Sequence, residues 1–360
     1  MKRFIYSIIA FATVVGCTKS NLVEGPQSMG TPIEFETYNG RIPVTKALEI
    51  NDTSIQTDGF HVTAFYDATE AKYMDSNVKW KNSSWEYSPK AYWPATGDLD
   101  FVAYGLNADK KVNDTDILSV TNYTELTYTV PDVVSEQEDL VASQFGTSSR
   151  GNDNVVTIQM KHLLSRIGFQ VKTIYTGQAP SAEIKIKNIT LKGTFKRTGE
   201  INLKPGTEES FEIQPTEEST TVSSYSLFSS DDEYFTAGAN ANAQPIFCNA
   251  GLPKITDNSS DADKQTVAAA MANRYMMLMP GSMGTNPSVE VEYMLTGQTG
   301  YQKAVIELKT PSTTEGVSVP WTLAAGTAYE FIFTVSISSI DFTGEIVDWD
   351  EEHDDYIQNI

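Results

Sequence analysis

Cys17 is the residue whose setting prescribes a reaction. Val14-Val15-Gly16-Cys17 reads as a lipobox: branched apolar residue, small residue, cysteine. Before it stand the basic head Met1-Lys2-Arg3 and the apolar run Phe4–Val15. That run is shorter than the ~20 residues of a permanent span and fits a secretory signal. The expected chemistry is cleavage before Cys17 and acylation of its thiol, palmitate included. The product would be held by acyl chains and otherwise soluble. With Cys17 lipidated, Cys248 in Pro245-Ile246-Phe247-Cys248 has no intrachain disulfide partner, and it reads as a buried, inert thiol.

The remaining reactive inventory is thin. His61 alternates with apolar neighbours, His162 precedes Leu163-Leu164, and His353 lies in the acidic run Asp350–Asp355. None has zinc-motif spacing. The chain has no G-x-S-x-G elbow, Walker loop or G-x-G-x-x-G turn. Asp348–Asp355 lacks the spacing of an EF-hand and reads as a solvated acidic turn. Paired carboxylates of the glycosidase kind are set by fold, and 47 acidic residues make some proximity inevitable. The expectation is therefore a protein without catalysis, cofactor or metal. Its net charge of −21 argues against nucleic acid and against direct binding to anionic lipid. Membrane contact is expected only through the lipid anchor.

Two basic residues fall where a protease could use them. Asn39–Ala47 is turn-rich, reads as an exposed loop and contains Arg41 and Lys46. Immediately before it, Ile33 and Phe35 alternate with Glu34 and Glu36, the period of a half-buried strand. Thr18–Gly30 is polar and reads as a tether.

From Phe60 onward the pattern is strand after strand. Segments such as Phe60–Tyr66, Leu99–Tyr104, Val155–Met160 and Ile167–Val171 are β-branched or aromatic; the second half repeats the texture from Glu183 to Trp349. One short helix is expected over Gln265–Met277. Many short strands with polar turns predict an all-β fold of antiparallel sandwiches. Gln178–Ser181 is the expected boundary. The division is then a signal at 1–17, a tether with an N-terminal strand segment at 18–47, and sandwiches at 48–178 and 179–360. Trp80, Trp85, Tyr87, Tyr92 and Trp93 crowd together and read first as core or cross-strand pairs, with a sugar-stacking face as the rival.

Several segments then resemble one family in order. Trp85–Pro94 and Leu99–Tyr104 are followed by Asp139–Ala142 and by Met160–Phe169, which carries His162-Leu163-Leu164-Ser165-Arg166-Ile167. Tyr275–Pro280, Ala325–Phe331 and Ile346–Trp349 follow. Together with the lipobox they resemble the fimbrillin (Mfa-like) family of Bacteroidetes surface lipoproteins. The resemblance implies a type V pilus subunit of two tandem transthyretin-like β-sandwich domains. It implies transport to the outer membrane as a lipoprotein and then residence in a cell-surface fimbrium. It also implies that a trypsin-like or Arg-specific protease removes an N-terminal strand, here the one bearing Ile33 and Phe35. A strand from a neighbouring subunit would fill the vacated groove. Arg41 and Lys46 are the candidate cleavage positions, the family's Thr-Arg-Ala being Thr45-Lys46-Ala47 here, and Pro43 stiffens the chain beyond Arg41. Other pilin subunits and a maturation protease are the implied partners; the adhesion ligand is unspecified. The short acidic tail after Trp349 is a poor donor strand and suits a tip or accessory subunit. The rival reading is a non-polymerising surface lipoprotein that binds glycans.

Overall fold

The computed structural model describes residues 30–38, 52–66, 71–106, 118–121, 124–143, 146–148, 155–173, 183–203, 212–215, 221–238, 240, 242–256, 258–272, 274–308, 322–335 and 340–347. Cys17, Arg41, Lys46 and the acidic run from Asp348 lie outside them.

The first half contains β1 (Glu34–Tyr38), α1 (Asp52–Asp58), β2 (Phe60–Tyr66), β3 (Ala71–Lys81), β4 (Ser84–Glu86) and β5 (Leu99–Leu106). It continues with β6 (Leu118–Thr121), β7 (Glu125–Thr129), β8 (Leu140–Ala142), β9 (Gly146–Ser148), β10 (Val155–Gln159), β11 (Lys161–His162) and β12 (Ser165–Thr173). Beyond lie β13 (Ile184–Lys196), β14 (Thr198–Asn202), β15 (Glu212–Pro215), β16 (Thr221–Ser226), β17 (Phe235–Ala237) and β18 (Gln244–Pro245). Then come α2 (Asp261–Ala272), β19 (Met276–Leu278), β20 (Gly281–Ser282), β21 (Ser288–Leu295), β22 (Gln302–Glu307), β23 (Thr322–Leu323), β24 (Thr327–Val335) and β25 (Ile340–Val347). The fold is all-β, as the alternating pattern predicts.

The sheets stack because their strands are apolar on both faces. In β5, Phe101 and Ala103 enter a first core with Val62, Ala64, Trp85 and Val156. The intervening Val102 and Tyr104 enter a middle core with Tyr128, Leu164 and Ile201. Successive side chains point to opposite faces, so this seven-stranded sheet of β11-β8-β5-β2-β3-β4 with β9 is buried on both sides there. The sheet β18-β12-β24-β25 with β19 repeats the device. In β19, Met276 and Leu278 face the last core. Met277 and its neighbours Tyr275 and Met279 face the middle one. The sheet β16-β13-β21-β22 with β17 closes the last core from beyond with Ile184, Ile186, Ile189 and Leu191.

Two pairings depart from the antiparallel expectation. β1 runs parallel to β10, and β12 runs parallel to β24 over nine residue pairs, from Ser165↔Thr327 to Thr173↔Val335. Residues on both sides of the expected boundary at 178/179 therefore share one sheet. β7 and β14 bridge that point as well, through Tyr128↔Gly199 and Ile201↔Leu126. A strand belongs where its apolar face finds a partner, and Ile167, Phe169 and Val171 find theirs in the last core.

The helix of the second half is α2, starting four residues earlier than the periodicity suggests and ending before Tyr275. Ser260 caps it: its Oγ accepts from the Asp263 N–H at 3.1 Å and donates to the Asp263 carboxylate at 2.7 Å. Met276 is withdrawn into β19 because it packs in the last core. Cys248 is half-buried against that core rather than enclosed by it.

Phe331 is fully buried and its ring lies 5.8 Å from that of Phe169. Phe331→Ala is expected to cost about 3–5 kcal/mol in chemical denaturation. Val305→Ala, at a side chain 62% exposed, should stay within about 0.5 kcal/mol. Equal costs would refute this assignment of the core.

Candidate functional site at the N-terminal strand

The residues singled out as Ile33 and Phe35 sit at the heart of the first core. Ile33 is fully buried and Phe35 is 6% exposed, whereas Glu34 and Glu36 face outward. Burial of one such pair against water is worth about 1.5–3 kcal/mol per side chain. The Phe35 ring meets three others edge-on: Tyr87 at 5.4 Å, Phe101 at 5.9 Å and Phe60 at 6.1 Å. These edge-to-face contacts fix the ring beyond what area alone would do.

The backbone around these side chains is held from two directions. β1 pairs with β10 in the register Glu34↔Val155 to Tyr38↔Gln159, so Phe35 lies beside buried Val156. The Thr157 hydroxyl donates to the Glu36 carboxylate at 2.5 Å on the solvent side. Ahead of β1, the Ile33 N–H donates to the Ala91 carbonyl at 3.0 Å, and the Trp93 N–H donates to the Thr31 carbonyl at 2.9 Å. The buried Tyr87 hydroxyl donates to the Ile33 carbonyl at 2.8 Å. Apolar surroundings, opposed by the hydrogen bond from the Ala91 N–H and reinforced by the charge of Glu34, hold the Tyr87 phenol above its usual pKa. The neutral phenol, the form that donates, is thus the form present at physiological pH.

The crowded aromatics are mostly core. Trp85, Tyr87 and Trp93 are buried, Trp80 is half-buried, and Tyr92 is exposed. Tyr73 Oη donates to the Tyr92 carbonyl at 2.5 Å, pinning the loop that receives Thr31–Ile33. Sequence spacing did not indicate the Tyr87 latch or the parallel partner β10. The available signal was the alternation of Val156 and Ile158, which matches that of Ile33 and Phe35.

The two described histidines are spent on structure. His61 Nε2 lies 2.6 Å from Asp75 Oδ1 and its ring stacks on Tyr104 at 5.0 Å. His162 Nδ1 lies 2.7 Å from the buried Asp139 carboxylate. Among the described residues no three His, Cys, Asp or Glu side chains converge in a metal-holding arrangement. No described helix is long and apolar enough to cross a membrane.

Removing the Tyr87 hydroxyl should loosen β1 selectively. Tyr87→Phe leaves the Ile33 carbonyl without that donor, at a cost of about 1–2 kcal/mol. Hydrogen exchange at 33–38 should accelerate while β13 and β21 are unchanged. Unaltered exchange at 33–38 would show that the hydroxyl does not hold the strand.

Comparison with known proteins agrees with the architecture. A family model described as fimbrillin-like matches residues 44–349. A fimbrial protein from Bacteroides vulgatus superposes with a TM-score of 0.58 at 14% identity, over 88% of this chain and 99% of that one. A candidate cell adhesion protein from Bacteroides uniformis gives a TM-score of 0.51 at 13% identity, over 90% of this chain and all of that one. No sequence among curated proteins matches the chain. The match over residues 44–349, carried on an all-β fold shared with a fimbrial protein, places the chain in the fimbrillin-like family.

Proposed function

We propose that this protein is a non-enzymatic structural and adhesive subunit of a cell-surface fimbria. Family membership supports the fimbrial role, and the placement of β1 supports a mechanism. Cys17 would carry the lipid that brings the chain to the outer membrane. Cleavage after Arg41 or Lys46 would then free everything before it, β1 included. The two units would be transthyretin-like sandwiches, with the second starting at β12 so that its sheet stays whole.

The observation that carries this reading is the burial of Ile33, just before β1, and of Phe35, on β1, a strand whose sheet partner among the described residues is β10 alone. Such a strand is separable: among the described residues its departure breaks one five-residue ladder and the bonds that tie Thr31 and Ile33 to Tyr87, Ala91 and Trp93. It would leave an apolar trough beside Val156 and Ile158 and an unpaired edge on β10, a state that a strand of like pattern would heal. A neighbouring subunit is the source of that strand. A tip or accessory position, which accepts a strand without donating one, completes this reading.

Limited trypsin digestion of the chain lacking its signal, followed by mass mapping and a sizing assay, tests the scheme. The expected product begins at Ile42 or Ala47, is otherwise intact, and gains the ability to multimerise or bind a subunit's C-terminal peptide. A resistant loop, or a cut product that stays monomeric and indifferent to such peptides, would contradict it.

A further inference from the structure

A groove of about 870 Å³ opens beside β1, with further walls from β3, β4, α1 and β10, and lies within the size range of specific ligand clefts. Two chemistries meet in its lining. Glu34 and Glu36 of β1 and Glu86 of β4 bring carboxylates. Trp80 of β3 and Tyr87, just after β4, bring aromatic rings. Trp80 is half-buried, held edge-on against Trp85 at 5.1 Å. Among these groups the chain sets one ammonium of its own. Lys90 Nζ lies over the Tyr87 ring, 4.6 Å from its centroid. The electron-rich face of an aromatic ring attracts a cation, the more so where water is thin. The molecule thus shows which kind of group this ring surface accepts.

The arrangement selects among ligands. A compact inorganic cation needs ligands that converge, and among the described residues no three His, Cys, Asp or Glu side chains do so. A neutral sugar would stack on an open ring face, whereas Tyr87 is 6% exposed and carries the Lys90 ammonium. An alkyl ammonium ion suits both chemistries, its methylenes against the rings and its charge toward the carboxylates. Glu34 and Glu36 alternate on one face of β1, about 7 Å apart, which matches two ammonium groups on a short alkyl chain. The net charge of −21 draws cations toward the surface as a whole. We propose that this groove binds a small organic ammonium ion of the alkyl diamine class, and that Lys90 covers part of the site until the ligand displaces it. β1 supplies one wall, so the site belongs to the uncut chain. It does not depend on cleavage or on assembly.

The test titrates diaminobutane into the uncut chain by calorimetry, with butanediol as the neutral analogue and magnesium chloride as an inorganic competitor at matched ionic strength. The diamine should bind saturably at one per chain, about tenfold or more tighter than the diol, and magnesium should not displace it. Glu34→Gln/Glu36→Gln should lose about tenfold in affinity, as should Trp80→Ala, with an unchanged thermal midpoint verifying each fold. Lys90→Ala should bind about threefold or more tighter, because the Tyr87 ring is uncovered. Lys254→Ala, which removes an equal charge from an exposed position between β18 and α2, should bind as the unaltered chain does. Absence of saturable binding would overturn the proposal, as would equal binding of the diol or displacement by magnesium. Undiminished binding by both the glutamate and the tryptophan variants would place the ligand elsewhere and overturn it too. Equal effects of Lys90→Ala and Lys254→Ala would refute the displacement of Lys90. Binding of neutral oligosaccharides in place of the diamine would make the groove a glycan site and contradict the proposal.

Discussion

Everything in the first core is arranged around two side chains that enter it from the N-terminal end of the fold. Ile33 and Phe35 are nearly as buried as Phe101 or Val62, yet Phe35 arrives on a five-residue strand that runs parallel to β10 and Ile33 on the residue just before it. Parallel strands are ordinarily joined by a buried crossover within a larger sheet. Here the pair stands as a separate ribbon, so the apolar content of β1 far exceeds its hydrogen-bonded integration. A large hydrophobic contribution coupled to a small ladder is what the proposed exchange of β1 would use. The Tyr87 hydroxyl and the Ala91 carbonyl add local holds without tying β1 into the seven-stranded sheet.

The rest of the protein is built more tightly. The middle core takes Phe65 and Tyr104 from the first half, Leu163 and Leu164 from the turn before β12, and Tyr275, Met277 and Ala328 from the second half. Segments distant in sequence are stitched there by specific bonds. The Met277 N–H donates to the Gln137 side chain at 2.9 Å, and the Ser165 hydroxyl donates to the Ala324 carbonyl at 2.7 Å. Buried charge lies along the same seam. Burial opposes the charge of Arg274, but Tyr275 and Glu330 outweigh it and hold the guanidinium above its usual pKa. The Glu330 carboxylate in turn lies over Gly168, where a Cβ would approach it to 2.5 Å, so glycine is what that register admits. Polar groups enclosed in an apolar seam penalise alternative packings. The halves are thus fixed by shape and by charge, while β1 is fixed chiefly by shape.

Much of this was legible in the chain. Alternation located β1, β2, β5, β10 and β24, because each buries one or both faces against a neighbouring layer. The segments that resemble the family turned out to be structural: Asp139 meets His162, and the carbonyl of Leu164 accepts from the N–H of Gly326 at 2.9 Å. What the sequence hid was pairing. Nothing local in Val155–Gln159 distinguishes a parallel partner from an antiparallel one, and nothing in Ser165–Thr173 indicates that its parallel mate lies some 160 residues later. The crowded tryptophans were resolved by burial, which made Trp85 and Trp93 core and left Trp80 half-buried.

The claim on which the account rests is that β1 is a replaceable filling of the first core. Hydrogen exchange at 155–159 measures it most directly. Three samples are compared: the uncut chain, a chain starting at Ala47, and that shortened chain with a synthetic peptide spanning 31–38. The account predicts protected amides in the first, exposed amides in the second, and restored protection in the third at one peptide per chain. Protection that persists without residues 31–38, or that the peptide fails to restore, would contradict it.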